Sequence, residues 1–249
     1  MLPTLDIGPF VIPTAGLVYI LGAWLLLTAV EKAAERLGLQ VPATYGVAVT
    51  ALAAGFVGAR LVFVALYWEA YRQHPLSIIW PLTSGFNLWG GLLIGLAAGF
   101  FYGRARRLPP GATLDALLPG LVIGLMAVSL ADLLAGPGYG TETTVPWSIS
   151  LFGVRRHPVQ LYEIFVGFLA LATWWTALRR PHLPGHLFLV SAAVYAAGRL
   201  FVDAFRADPW LTSGGYHVLQ IISLLVVLAS LFLLALRTGS EEASPPLAS

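Results

Sequence analysis

The chain has 249 residues, of which 58% are hydrophobic and only 10% charged, with a net charge of +2 and no cysteine. A soluble domain carries about 25% charged residues, so an ordinary soluble fold is excluded. The missing cysteines exclude disulfides, thiolate metal sites and a thiol nucleophile of the protein's own.

A helix that crosses a bilayer needs about 20 mostly apolar residues. Seven candidates follow in order: 11–30, 46–67, 86–103, 114–135, 159–178, 186–205 and 217–236. The start, MLPTLDIGPF, lacks the basic region of a cleaved signal peptide. The third segment is short and glycine-rich (GGLLIGLAAGFFYG), which suits close helix packing. LPPG, GPGYG and RRPHLPG punctuate the runs. The expected fold is an all-α polytopic membrane protein: one seven-helix domain over 1–236 and a disordered cytoplasmic tail over 237–249.

Basic residues set the expected orientation. One set of loops holds Lys32, Arg36, Arg104, Arg106, Arg107, Arg179, Arg180 and Arg237; the other holds only Arg72, Arg155, Arg156 and Arg206. This bias puts the N-terminus outside and the C-terminus in the cytoplasm. The arginines sit in short loops, not along one basic face, so no nucleic-acid partner is expected.

Arg60 and Arg199 fall inside spans. An arginine there costs about 2.5–3.5 kcal/mol on insertion scales, so it is usually paired or functional. With the orientation above, five segments send unusual residues toward the outer leaflet. They are Arg60; Asn87 and Trp89; Ser129 and Asp132; the stretch RRHPVQLYE from Arg155 to Glu163; and Arg199, Asp203 and Arg206. Arginines snorkelling at random would not favour one side.

Pro158 suits a first helical position, which places His157, Gln160 and Glu163 at successive three-residue steps on one side of the fifth helix. Glu163 needs a cationic partner, and arginines of the second or sixth helix are the candidates. Arg199 and Asp203 are four residues apart, with Arg206 three further on. That stripe is either a structural ion-pair ladder or an arginine held by Asp203 to face an anionic headgroup; a guanidinium fork suits phosphate. His157 is either a hydrogen-bonded helix-start residue or a proton acceptor. The loop over about 136–158 is long and could cover a site. His74, His182, His186 and His217 show no ligand spacing, so no metal is expected.

RRHPVQLYE resembles the RHPTQLYE block of prolipoprotein diacylglyceryl transferases. In the family's order, DIGPFVIPTAGLVY resembles its N-terminal block, GARLVFVALYW its second-helix block, and NLWGGLLIG its His-Gly-Gly-Leu block. LAGPGYGTET resembles the end of its glycine-rich signature, and GRLFVDAFRADPW with HVLQIISL its arginine-rich sixth helix and the run after it. The similarity covers about residues 5–236. It implies seven spans, an outside N-terminus and a multi-pass protein of the bacterial cytoplasmic membrane. The implied reaction moves diacylglyceryl from phosphatidylglycerol to the lipobox cysteine of a prolipoprotein signal peptide, with no cofactor and a monomeric enzyme.

The expected catalytic residues are Arg199, His157, Glu163 and Asp203. Those expected to bind lipid are Arg60, Asn87, Gly90, Gly91, Arg156, Gln160, Tyr162 and Arg206. Four positions depart from the family pattern. Ala15 replaces a tyrosine, Trp89 the histidine before Gly-Gly-Leu, Ser129 the signature arginine and Asp132 the signature asparagine. A second expectation therefore stands beside the first: a diverged lipid- or lipoprotein-binding protein of the same fold that makes no bond.

Overall fold

Seven helices among the described residues are long and apolar enough to cross a membrane: Thr14–Arg36, Val41–Leu66, Leu88–Ala105, Pro110–Ala135, Val159–Leu178, His186–Phe205 and Val218–Arg237. The protein is a multi-pass membrane protein. The computed structural model describes residues 4–8, 10–73, 75–79, 85–151 and 153–242. His74 and residues 243–249 of the expected tail lie outside the described residues.

The elements in chain order are β1 (Thr4–Ile7), β2 (Phe10–Pro13), α1 (Thr14–Arg36), α2 (Val41–Leu66), α3 (Trp68–Tyr71), α4 (Leu76–Ile79), α5 (Leu88–Ala105) and α6 (Pro110–Ala135). Then come β3 (Ile149–Leu151), β4 (Val154–Arg156), α7 (Val159–Leu178), α8 (His186–Val202), a 3-10 turn (Asp203–Phe205) and α9 (Val218–Glu242). The helix α9 thus continues into the stretch expected to be a disordered tail. The chain forms two compact units, residues 1–29 with 118–249, and residues 30–117.

In the 30–117 unit, α2 packs on α5 along a seam of small residues. A Cβ added to Gly95 would lie 2.7 Å from the carbonyl oxygen of Ala51, and one on Gly91 would lie 2.8 Å from that of Gly55. The two backbones therefore touch, which only glycine allows. Asn87 starts α5: its side-chain oxygen accepts from Gly90 N at 2.7 Å, and its own N–H donates to Ala59 O of α2 at 2.9 Å. This cap satisfies an orphan donor of the first turn and ties the helix start to its neighbour.

In the other unit, β1 and β2 form an antiparallel hairpin pairing Thr4 with Pro13 and Ile7 with Phe10. The helix α8 packs against both α7 and α9. Val159, Val166 and Val202 form a buried cluster with Tyr162 and Tyr195 packed on it. β3 and β4 make a second hairpin, with Ile149 opposite Arg156 and Leu151 opposite Val154. Sequence patterning did not show either hairpin, because each strand is three or four residues long.

The connection after α6 is not a loose loop. Thr141 N donates to Phe205 O at 2.8 Å, Ala207 N to Tyr139 O at 3.0 Å and His157 N to Thr141 O at 3.0 Å. Residues 139–141 are therefore pinned between the end of α8 and the start of α7.

Candidate active site

Glu163 lies one turn into α7 and is 4% exposed. A carboxylate so buried requires compensation, and three groups supply it. Arg199 of α8 pairs with its Oε1. Arg206, just past the 3-10 turn, donates from Nη2 to the same oxygen at 2.5 Å. Ser129 of α6 donates from Oγ to Oε2 at 2.6 Å. Both arginine side chains are themselves largely buried, 16% and 14% exposed. The carboxylate thus gathers two guanidinium groups from one end of α8.

Asp203 does not hold Arg199, although the two are four residues apart. The α-helix ends at Val202 and Asp203 opens a 3-10 turn, so the side chain leaves the face on which Arg199 sits. Asp203 is 2% exposed; its Oδ2 meets His217 Nδ1 at 2.9 Å, and its Oδ1 lies 3.8 Å from Arg206 Nε. The expected Arg199–Asp203 pair is replaced by Glu163–Arg199 and Asp203–His217. His217 had shown no spacing that would mark it. Its signal was its place as the first residue of the HVLQIISL run, just ahead of α9.

Arg206 is the hub. Besides Glu163 and Asp203, it approaches Asp208 Oδ1 at 3.8 Å. Asp208 Oδ2 accepts from Gly138 N at 3.2 Å. A Cβ on Gly138, at φ +69°, would lie 2.9 Å from Arg206 Nη1 and 3.5 Å from Asp132 Oδ2, so Asp132 joins the same cluster. Gln160, 2% exposed, donates from Nε2 to Pro137 O at 3.0 Å, and its buried Oε1 has no hydrogen-bond partner among the described residues.

His157 precedes α7, whose N-cap is Pro158, one residue earlier in the helix than the sequence suggested. It is therefore not on the helical face that carries Gln160 and Glu163. Its Nδ1 lies 3.1 Å from the Tyr162 hydroxyl, which accepts from Trp147 Nε1 at 2.8 Å. Its ring packs on Phe205, with centroids 4.9 Å apart. One hydrogen bond to Tyr162, itself held by Trp147, and the contact with Phe205 thereby orient the imidazole. Arg156 is occupied locally: it donates to Gly140 O at 3.2 Å, pairs with Glu142 at 3.5 Å and stacks over Tyr139 at 4.9 Å. Arg155 donates to Ser148 Oγ at 2.7 Å. Ala15 sits half-buried in the first turn of α1.

The remaining expected residues belong to the 30–117 unit. Arg60, 8% exposed, donates to Ile78 O at 3.0 Å, to Gly85 O at 3.1 Å, to Ser77 O and to the Tyr71 hydroxyl at 3.4 Å. Its guanidinium also lies 5.3 Å from the Tyr71 ring centroid and 5.9 Å from that of Phe86. Gly90 and Gly91 face α2, where added Cβ atoms would strike Val62 and Ala59. Trp89 is 45% exposed.

Chemically, Arg199 differs from the other arginines of its unit. Glu163 takes one edge of its guanidinium, and its other nitrogens have no hydrogen-bond partner among the described residues. A fixed, partly desolvated guanidinium with a spare edge is a receptor for a phosphate oxygen.

A family profile described as prolipoprotein diacylglyceryl transferase matches residues 3–236. A Bacillus cytotoxicus protein named phosphatidylglycerol–prolipoprotein diacylglyceryl transferase is 28% identical over 256 residues, covering 96% of this chain and 93% of that protein. The proteins of the same name from Lactobacillus johnsonii and Clostridioides difficile are 25% and 26% identical, covering 92% and 80% of this chain and 87% and 80% of their own lengths.

Proposed function

This chain belongs to the prolipoprotein diacylglyceryl transferase family, and on that premise we propose that it transfers diacylglyceryl from phosphatidylglycerol to the lipobox cysteine of a prolipoprotein signal peptide. The reaction takes place at the outer leaflet of a bacterial cytoplasmic membrane. The cysteine sulfur attacks the terminal glyceryl carbon of the diacylglyceryl group. A carbon–sulfur bond forms, the carbon–oxygen bond to phosphate breaks with its electron pair on the phosphate oxygen, and glycerol phosphate leaves. The thiol must come from the substrate, because the chain holds no cysteine.

The observation that carries this reading is Arg199, fixed by Glu163, with no hydrogen-bond partner for its other edge among the described residues. It holds the phosphate and stabilises the charge that develops on the leaving group. Glu163 is a positioning residue that holds Arg199 and Arg206. Ser129 stands where the family carries an arginine, and Arg206 supplies the second positive charge. His157 accepts the thiol proton, and Asp203 fixes the end of α8 through His217. Asn87, Gly90, Gly91, Arg156, Gln160 and Tyr162 shape the surroundings of the lipid.

A second reading is favoured by the acidic balance of the cluster. Four carboxylates, Asp132, Glu163, Asp203 and Asp208, gather around Arg206, and Glu163 also pairs with Arg199. Such a site would bind a lipid or lipoprotein without making the bond.

Purified protein incubated with phosphatidylglycerol and a lipobox peptide separates the two readings. A thioether-linked diacylglyceryl peptide detected by mass spectrometry, and lost in Arg199→Ala, is the expected result. A well-folded protein that binds phosphatidylglycerol and yields no such product overturns transfer in favour of binding.

A further inference from the structure

Two helix ends that fall within the 30–117 unit share the same backbone motif. After α1, Leu39 N donates to Ala34 O at 3.0 Å and Gly38 N to Glu35 O at 3.2 Å, with Gly38 at φ +64°. After α5, Leu108 N donates to Gly103 O at 3.0 Å and Arg107 N to Arg104 O at 3.0 Å, with Arg107 at φ +55°. This left-handed position is normally glycine's, because a Cβ there crowds the backbone. Arg107 is the one non-glycine residue with positive φ among the described residues. Gly38 shows that the turn itself does not require a side chain. An arginine kept at a strained position suggests a role for its guanidinium.

Beside Arg107 lies a cavity of about 850 Å³, within the size range of ligand sites. Its walls are apolar, with Val47 of α2, Leu96 and Phe100 of α5 and Leu117 of α6 among them. Among the described residues, Arg104 and Arg107 are the only charged ones that line it. Both are exposed, and neither side chain has a hydrogen-bond or ion-pair partner among the described residues. Arg106 between them is engaged differently, stacked 5.2 Å from the ring centroid of Tyr102.

We infer that this cavity binds an anionic phospholipid, with its phosphate against Arg104 and Arg107 and an acyl chain along the apolar wall. Guanidinium groups grip phosphate in a fork, and basic pockets between membrane helices hold anionic headgroups. Among the described residues, no carboxylate lines the cavity to compete. The site lies at the C-terminal end of α5, whereas Asn87 lies at the N-terminal end. It is thus at the other end of α5 from Asn87, Gly90 and Gly91, the α5 residues proposed to surround the donor lipid.

The test uses dioleoyl phosphatidic acid, which has no headgroup alcohol to release, against dioleoyl phosphatidylcholine. Retention on the purified full chain is read by native mass spectrometry over a lipid titration. The wild type retains one equivalent of phosphatidic acid at least fivefold more tightly than phosphatidylcholine. The double variant R104Q/R107Q loses that preference, while Arg199→Ala keeps it. Arg107→Gly is the sharper variant. It suits the turn better than arginine, so the protein melts no lower in lipid-free detergent, yet binding weakens at least threefold. Gly103→Leu probes the apolar part with both arginines intact. An added Cβ there meets only Val47 Cγ2, at 3.6 Å, so the larger side chain is accommodated and occupies space the acyl chain needs; phosphatidic acid retention falls. Equal retention of the two lipids by the wild type, undiminished retention by R104Q/R107Q, or loss of the bound equivalent in Arg199→Ala instead would each overturn the inference.

Discussion

Arg60 and Arg199 look alike in the sequence: each is an arginine inside an apolar span. Their surroundings separate them. Arg60 donates to three backbone carbonyls and a tyrosine hydroxyl, so its guanidinium ties α2 to the segment between α3 and α5. Arg199 meets one carboxylate and keeps an edge without a hydrogen-bond partner among the described residues. A buried cation surrounded by carbonyls is a structural tie, whereas one oriented by a carboxylate with an open edge is arranged to receive an anion. The cost of burying a charge is thus met in both places, and only the second leaves binding capacity.

That contrast can be broken most directly at Glu163. Glu163→Ala leaves two guanidinium groups facing each other in a buried pocket, and removing one partner of a buried pair costs about 3–5 kcal/mol. Both thermal stability in detergent and transfer to a lipobox peptide should collapse. If turnover survives, Glu163 does not position Arg199. Arg199→Ala should divide the two properties: turnover falls about 10²–10³-fold, as for loss of a charge-stabilising donor, while melting shifts less than in Glu163→Ala.

Arg60→Ala should show the reverse balance. Hydrogen bonds to a charged group are worth about 1.5–3 kcal/mol each, and several are lost, so the melting temperature drops markedly. Activity per folded molecule falls far less than in Arg199→Ala. A variant that melts normally but fails to turn over would move Arg60 into the binding machinery. Ser129→Ala is the smallest change. It removes one hydrogen bond of 2.6 Å to the Glu163 carboxylate, worth about 1.5–3 kcal/mol as a single bond to a charged group, and turnover should fall only a few-fold. A loss as deep as that of Arg199→Ala would show that Ser129 touches the substrate.

The seven spans were legible because length and hydropathy alone define them. The segment expected at 159–178 matches α7 at both ends, and the third, expected at 86–103, starts at Leu88 because Asn87 is the cap. That Glu163 needs an arginine from the second or sixth helix was also legible, since a buried carboxylate cannot stand alone. The choice of Arg199 and Arg206, with Ser129 on the second oxygen, was not. It depends on how α6, α7 and α8 pack, and on a 3-10 turn that swings Asp203 toward His217. No local pattern announces that turn. The two hairpins and the pinned 139–141 segment escaped for a similar reason: their pairing partners are backbone groups, which sequence does not distinguish.

The α2–α5 seam also limits how relatives of this chain can drift. Where Gly91 meets Gly55 and Gly95 meets Ala51 and Gly55, the distance between helix axes is set by absent side chains. Enlarging one residue requires its opposite to stay small or the helices to part, and parting them would shift the cap at Asn87 that fixes the start of α5. Positions 51, 55, 91 and 95 should therefore vary as size-compensated sets rather than one at a time.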